Sequence, residues 1–109
     1  MATQQPDNDE LVRDLARAIL DNLRTKYWDA KKANPPPSFD ELYDLRRAYE
    51  DAAAEYAGLE GRLLRDDILT KEIDLENFRK VRDDMAAAVE TKEILGLAAN
   101  FIKMMVALA

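Results

Sequence analysis

Two helix boundaries meet in residues 34–41, which read NPPPSFDE. Three consecutive prolines cannot continue a helix, and they disfavour the helical backbone region for Asn34 before them. Ser38 then stands three residues before Glu41, which is the spacing of a capping box at the start of a helix. The stretch therefore predicts one helix that ends by about residue 33, a second that begins at 38, and a short turn that makes the two antiparallel.

The sequence before this turn has the periodicity of one amphipathic helix. Asp7 offers an N-cap, with Glu10 three residues later. Apolar residues then recur at helical spacing. The stripe consists of Leu11, Leu15, Ile19 and Leu23, with Val12, Ala16 and Leu20 beside it. We therefore predict a mobile polar tail at residues 1–7 and a first helix at 8–33.

The sequence after the turn predicts a second helix with a coiled-coil-like seam, because apolar residues alternate at spacings of three and four. The seam consists of Leu42, Leu45, Tyr49, Ala52, Tyr56, Leu59 and Leu63. Gly58 and Gly61 interrupt it, and they mark either a kink or the close approach of another helix. The second helix is predicted at 38–68.

Four aromatic residues stand close to the turn on either side of it. They are Tyr27, Trp28, Phe39 and Tyr43. Antiparallel packing of the two helices is expected to bring their rings together as a structural cluster. A proline-motif ligand is a poor alternative, since the run of prolines contains no PxxP pattern.

A third helix is predicted at 74–108. Asp74 can cap it, and Ile73 with Phe78 has the spacing of a hydrophobic staple. Residues 94–109 are apolar around most of the helix circumference, which is more than two neighbouring helices obviously cover. The remaining strip is about 60° wide on a helical wheel, and it consists of Gly96, Asn100, Lys103 and Ala107.

The predicted fold is all-α. We expect a single helical domain over residues 8–109, built as a three-helix, antiparallel, coiled-coil-like bundle that oligomerisation completes. The excess apolar surface of the last helix predicts the interaction surface. Its expected residues are Leu97, Phe101, Met104, Met105 and Leu108.

The residue types present exclude most enzyme chemistry. The chain has no cysteine and no histidine, so it lacks a thiolate nucleophile, an imidazole base and the usual nitrogen ligand of metals. Asp66-Asp67 and Asp83-Asp84 are sequence neighbours, which point about 100° apart on a helix and do not form a facing acid/base pair. No glycine-rich phosphate loop occurs. We therefore predict no catalytic residues, no cofactor, no metal site and no enzymatic activity.

The charge distribution bears on possible partners. The net charge is −6, and residues 35–74 carry the whole imbalance, with eleven acidic and five basic side chains. An acidic surface repels phosphates, which argues against nucleic acid as a partner. We interpret the acidity as a solvated helix surface, and an acidic decoy for a basic protein is the alternative. No signal-peptide pattern and no run of 18 apolar residues occur, so a cytoplasmic location is expected.

These observations favour a non-enzymatic helical protein–protein interaction module. It would associate with itself, as a homodimer or higher oligomer, or act as a small subunit or adaptor for another helical protein. Two alternatives stay open. In one, the third helix is the covered central helix of a closed monomer. In the other, residues 94–109 insert at a bilayer interface with Asn100 and Lys103 facing water, although a single basic residue on that strip makes membrane association a weaker prediction.

Overall fold

The computed structural model describes residues 8–64 and 75–108. In this part of the chain there are four helices and no strand: α1 Asn8–Lys32, α2 Phe39–Leu64, α3 Leu75–Ala87 and α4 Thr91–Ala107. The all-α prediction is confirmed. The predicted number of three helices is wrong, because the described part of the predicted third helix forms two helices, α3 and α4, separated at residues 88–90. The expected tail, the end of the second helix beyond residue 64 and the cap at Asp74 lie outside the described residues.

In the turn between α1 and α2, the Ser38 half of the predicted capping box is formed. The backbone N–H of Glu41 donates to Ser38 Oγ at 3.2 Å, and the N–H of Leu42 donates to the Ser38 carbonyl at 3.0 Å. The Ser38 hydroxyl in turn lies 3.4 Å from Glu41 Oε1. Ser38 therefore satisfies donors in the first turn of α2 that would otherwise have no helical partner.

The four helices form two antiparallel hairpins that pack side by side. α1 contacts α2 and α3, α4 also contacts α2 and α3, and α2 does not touch α3 within the described residues. The Asn22 and Lys26 side chains of α1 reach the carbonyls of Arg82 and Ala86, respectively, so α1 and α3 run parallel. Likewise the C-terminal ends of α2 and α4 meet, where Arg62 reaches the Met105 carbonyl. The result is a four-helix bundle.

All four helices contribute to one hydrophobic core. The largest fully buried side chains are Val12, Ile19, Leu23, Leu45, Leu59, Met85, Phe101 and Met105. Burying a side chain of this size contributes roughly 1.5–3 kcal/mol. The predicted stripe of the first helix and the seam of the second both face this core, where their members are buried or half-buried.

The break between α3 and α4 is stabilised by a residue of α1. Lys26 Nζ donates to the carbonyl oxygen of Ala86 at 3.0 Å and to that of Ala88 at 2.7 Å. α3 has no basic residue in its own last turn. Lys26 therefore supplies the positive charge and the donors that the carbonyls of a helix C-terminus favour.

The two glycines of the α2 seam do not mark a close helix–helix contact. α2 continues through both of them as one helix. Among the described residues, a Cβ on Gly61 would meet no atom within 4 Å, and one on Gly58 would meet Arg62 Nη1 at 3.5 Å. The close approach of another helix, one of the two interpretations of these glycines, is therefore wrong.

Candidate interaction surface

Three of the five residues predicted to form the interaction surface lie in the chain's own core. Phe101 and Met105 are fully buried and Leu108 is nearly so. Leu97 and Met104 are half-buried and pack against the core. The prediction fails for the first three because α3 is a separate helix, so that α4 packs against two helices and also contacts α1. More of its apolar circumference is covered than the three-helix arrangement allowed.

The aromatic cluster at the α1–α2 turn is only partly formed. The Tyr27 and Trp28 rings lie 5.7 Å apart between centroids, tilted by 57°. Phe39 is 82% exposed and Tyr43 is 52% exposed, so neither ring is buried in a cluster. The prediction is wrong for these two because Phe39 is the first residue of α2 and Tyr43 stands one turn later on its exposed side.

α4 presents a solvent-exposed face along its length, on the side opposite the core. We call this the outer face of α4, and it consists of Glu93, Gly96, Ala99, Asn100, Lys103, Val106 and Ala107, all of them exposed. Half-buried Leu97 and Met104 border it on one side. The face contains the strip of small and polar residues that the helical wheel predicts for residues 94–109.

The helix that carries the outer face has few charged residues. Gly96, on this face, is not in contact with a neighbouring described helix. α4 has three charged residues among 17, whereas α1 has eleven among 25. A Cβ on Gly96 would meet no atom within 4 Å, so no neighbouring helix requires a glycine there. A glycine inside a helix costs about 1 kcal/mol relative to alanine. Within the described residues nothing in the fold compensates for that cost.

A second groove lies between α1 and α2, and two of its cations, Lys31 and Arg46, have partners within the chain. Lys31 Nζ lies 4.6 Å from the centroid of the Trp28 ring and 5.6 Å from that of Tyr27. Arg46 Nε lies 3.7 Å from Glu50 Oε2 on the next turn of α2. These contacts make the groove an internally paired surface, and it offers a ligand less than the outer face of α4.

The polar side chains that reach into the bundle have structural contacts. The Tyr56 hydroxyl donates to Glu60 Oε2 at 2.9 Å. Burial raises the pKa of Tyr56 to about 12, and the hydrogen bond and the negative charge of Glu60 act in the same direction. Arg62 Nη2 donates to the Met105 carbonyl at 3.4 Å and lies 3.9 Å from Glu55. In residues 8–64 and 75–108 no group of acidic side chains is placed to hold a metal ion.

No significant match to this chain is found among protein-family models, curated proteins or solved structures. Among the described helices, none combines the length and the apolar character needed to cross a membrane. The geometry of the bundle and the outer face of α4 are therefore the observations from which a function is proposed.

Proposed function

We propose that this chain is a non-enzymatic helical interaction module, and that it associates through the outer face of α4 with a second copy or with another helical protein. The observation that carries the proposal is an exposed face along the whole of α4, on which small or apolar residues lie among polar ones: Gly96, Ala99, Val106 and Ala107 beside Glu93, Asn100 and Lys103. With half-buried Leu97 and Met104 at its edge, the face combines apolar and polar contact groups, as protein–protein interfaces do.

The shape of the face suits a helix as the partner. At 1.5 Å per residue, the 17 residues of α4 span about 25 Å. Helices pack at interaxial distances of roughly 8–10 Å, and small side chains in the contact favour the shorter distance. Gly96, Ala99 and Ala107 are exposed and small, so they leave room for another helix. Leu97 and Met104 would extend the contact at its edge, and methionine adapts well to irregular apolar surfaces.

Substitution of Gly96 tests the proposal without disturbing the core. Gly96→Gln places a side chain in open space, so it should keep the fold and raise helix stability slightly, while blocking the approach of a partner. Gly61→Gln is the matched control, because Gly61 also has open space at its Cβ and lies on α2. Light scattering during size-exclusion chromatography, at several concentrations, measures the solution mass of each.

We expect a mass above that of the 12.4 kDa chain for the unmodified protein and for Gly61→Gln, with a shift toward monomer for Gly96→Gln. Equal association of the two variants would contradict the use of the outer face. A monomeric unmodified chain at every concentration would contradict self-association and leave another helical protein as the proposed partner. Phe101→Glu and Met105→Glu are unsuitable tests, since both residues are in the core.

A further inference from the structure

We infer that the partner of the outer face is a second copy of this chain, whose α4 packs in the antiparallel direction about a twofold axis that crosses the outer face at the level of Ala98 along the helix. The inference rests on the proposed function and names the partner and the register. In such a dimer, a residue of the seam that lies a given number of positions before Ala98 faces the partner's residue that lies the same number of positions after Ala98. Each pair then occurs twice, because a twofold interface is self-complementary.

The exposed residues of α4 have the spacing that such a contact requires. A seam on the outer face advances by three and four residues in alternation, which is the heptad spacing of helices that pack along their length. The seam consists of Glu93, Gly96, Asn100, Lys103 and Ala107, all exposed. Since the core side of α4 has its own buried residues, Ile94, Ala98, Phe101 and Met105, the seam on the outer face is separate from the core and stays exposed within the chain.

The charges on the seam select the antiparallel direction. Glu93 and Lys103 each lie five residues from Ala98, so an antiparallel copy places Glu93 opposite the partner's Lys103, twice. A parallel copy in register would place like charges opposite each other, which is unfavourable. Neither side chain has an ion-pair partner within the described part of its own chain, so both are available to a second copy.

The middle of the seam suits close approach. Gly96 and Asn100 each lie two residues from Ala98, so the glycine of one copy faces the asparagine of the other. The absence of a side chain on Gly96 makes room for the Asn100 amide. A polar residue in the contact between paired helices favours the register in which its hydrogen bonds are satisfied.

Exchange of the two seam charges tests both the partner and the register. Glu93→Lys and Lys103→Glu, made singly, each place like charges opposite each other and should weaken dimerisation at least tenfold. The double variant Glu93→Lys/Lys103→Glu restores opposite charges and should dimerise within about threefold of the unmodified chain. The contact spans one short helix, at the small end of specific interfaces, so dissociation constants should be measured by sedimentation equilibrium up to millimolar concentration. Far-UV circular dichroism establishes that each variant is folded.

Cysteine cross-linking gives a second readout, because the chain has no cysteine of its own. Glu93→Cys/Lys103→Cys should form a disulfide-linked dimer under mild oxidation. Lys103→Cys alone should not, because the two cysteines would lie about 15 Å apart along the helix axis, well beyond disulfide reach.

The outcomes separate the two proposals. One outcome is that Gly96→Gln blocks dimerisation, but the double charge exchange does not restore what the single exchanges lose and the cross-link does not form. That outcome overturns the antiparallel register and leaves the proposed function standing. A dimer that Gly96→Gln does not affect overturns the proposed function as well. A chain that is monomeric at millimolar concentration overturns the second copy as partner. Rescue together with the selective cross-link supports both proposals.

Discussion

At the scale of single residues, Tyr56 shows how the bundle holds a polar group at the edge of its core. The hydroxyl donates to Glu60 on the next turn of α2, and the ring packs against the buried cluster. Burial disfavours the tyrosinate more than the neutral phenol, and the nearby carboxylate adds to this, so the pKa of Tyr56 is raised to about 12. The neutral side chain is therefore the form that the fold accommodates.

The raised pKa of Tyr56 predicts a loss of stability at high pH. Unfolding returns the pKa to its ordinary value of 10.0, so the contribution of Tyr56 is complete below pH 10 and is lost as the pH rises from 10 to 12. Tyr56→Phe should cost about 1 kcal/mol at neutral pH through the lost hydrogen bond. Denaturant titrations should show this difference in unfolding free energy shrinking between pH 10 and 12.

An absorbance titration of tyrosinate provides the control for this prediction. The chain has four tyrosines, and Tyr56→Phe should remove a phase that titrates near pH 12 in the folded protein. Tyr43→Phe, which replaces an exposed tyrosine, should retain that phase. A late phase that persists in Tyr56→Phe would show that another residue is responsible.

At the scale of elements, the two short helices receive their C-terminal charge from the two long ones. Neither α3 nor α4 has a basic residue in its last turn, whereas α1 and α2 both do. Lys26 of α1 reaches the end of α3, and Arg62 of α2 reaches the end of α4. A cation at a helix C-terminus interacts favourably with the helix dipole and with the unpaired carbonyls. Contacts between hairpins thus add to the local hydrogen bonds at these helix ends, such as the one from the Leu108 N–H to the Met105 carbonyl at 3.1 Å.

Replacement of Lys26 by methionine should destabilise the fold by about 1–2 kcal/mol, because the Ala86 and Ala88 carbonyls lose a charged donor. Methionine keeps most of the apolar stem, so the loss measures the ammonium group. Lys80→Met, at an exposed position of α3 without such contacts, is the control and should change stability by less than about 0.5 kcal/mol. Chemical denaturation monitored by circular dichroism measures both, and equal effects would contradict the capping role.

The sequence predicts those element boundaries that have local causes. The prolines and Ser38 act within a few residues of the boundary they set, so the end of α1 and the start of α2 are found within one residue of the prediction. The break at residues 88–90 has no glycine or proline to indicate it. It depends on Lys26, 62 residues away from Ala88, and helical periodicity carries no information about such a contact.

At the scale of the whole molecule, α4 has two sides with different surroundings. One side completes the core, where Phe101 and Met105 are fully buried. The other side is the exposed outer face, the candidate interaction surface, where small residues lie beside Glu93, Asn100 and Lys103. Sequence periodicity detects the excess of apolar residues, but the division between core and surface depends on where α3 packs. Three residues of the predicted surface, Phe101, Met105 and Leu108, therefore lie in the core.

Two substitutions in α4 should distinguish its core side from its outer face. Phe101→Ala should lower the free energy of unfolding by about 3–5 kcal/mol, because it leaves a large cavity in the core, and this loss should not depend on protein concentration. Val106→Ala, at a residue that is 50% exposed, should cost less than about 1 kcal/mol in dilute solution. Thermal or denaturant unfolding of dilute samples measures both. Similar losses for the two variants would contradict the assignment of Phe101 to the core.

Because the long-range helix caps join residues far apart in sequence, the two residues of such a contact are synthesised at different times. Arg62 stands 43 residues ahead of Met105, the residue whose carbonyl it contacts. At a synthesis rate of roughly 5–20 residues per second on the ribosome, Met105 is added about 2–9 s after Arg62. During that interval the first hairpin is complete in sequence while the residues that will cover its apolar side are still to be added. Each newly made chain therefore passes through a stage, seconds long, in which the apolar side of the first hairpin is available to chaperones or to another nascent copy.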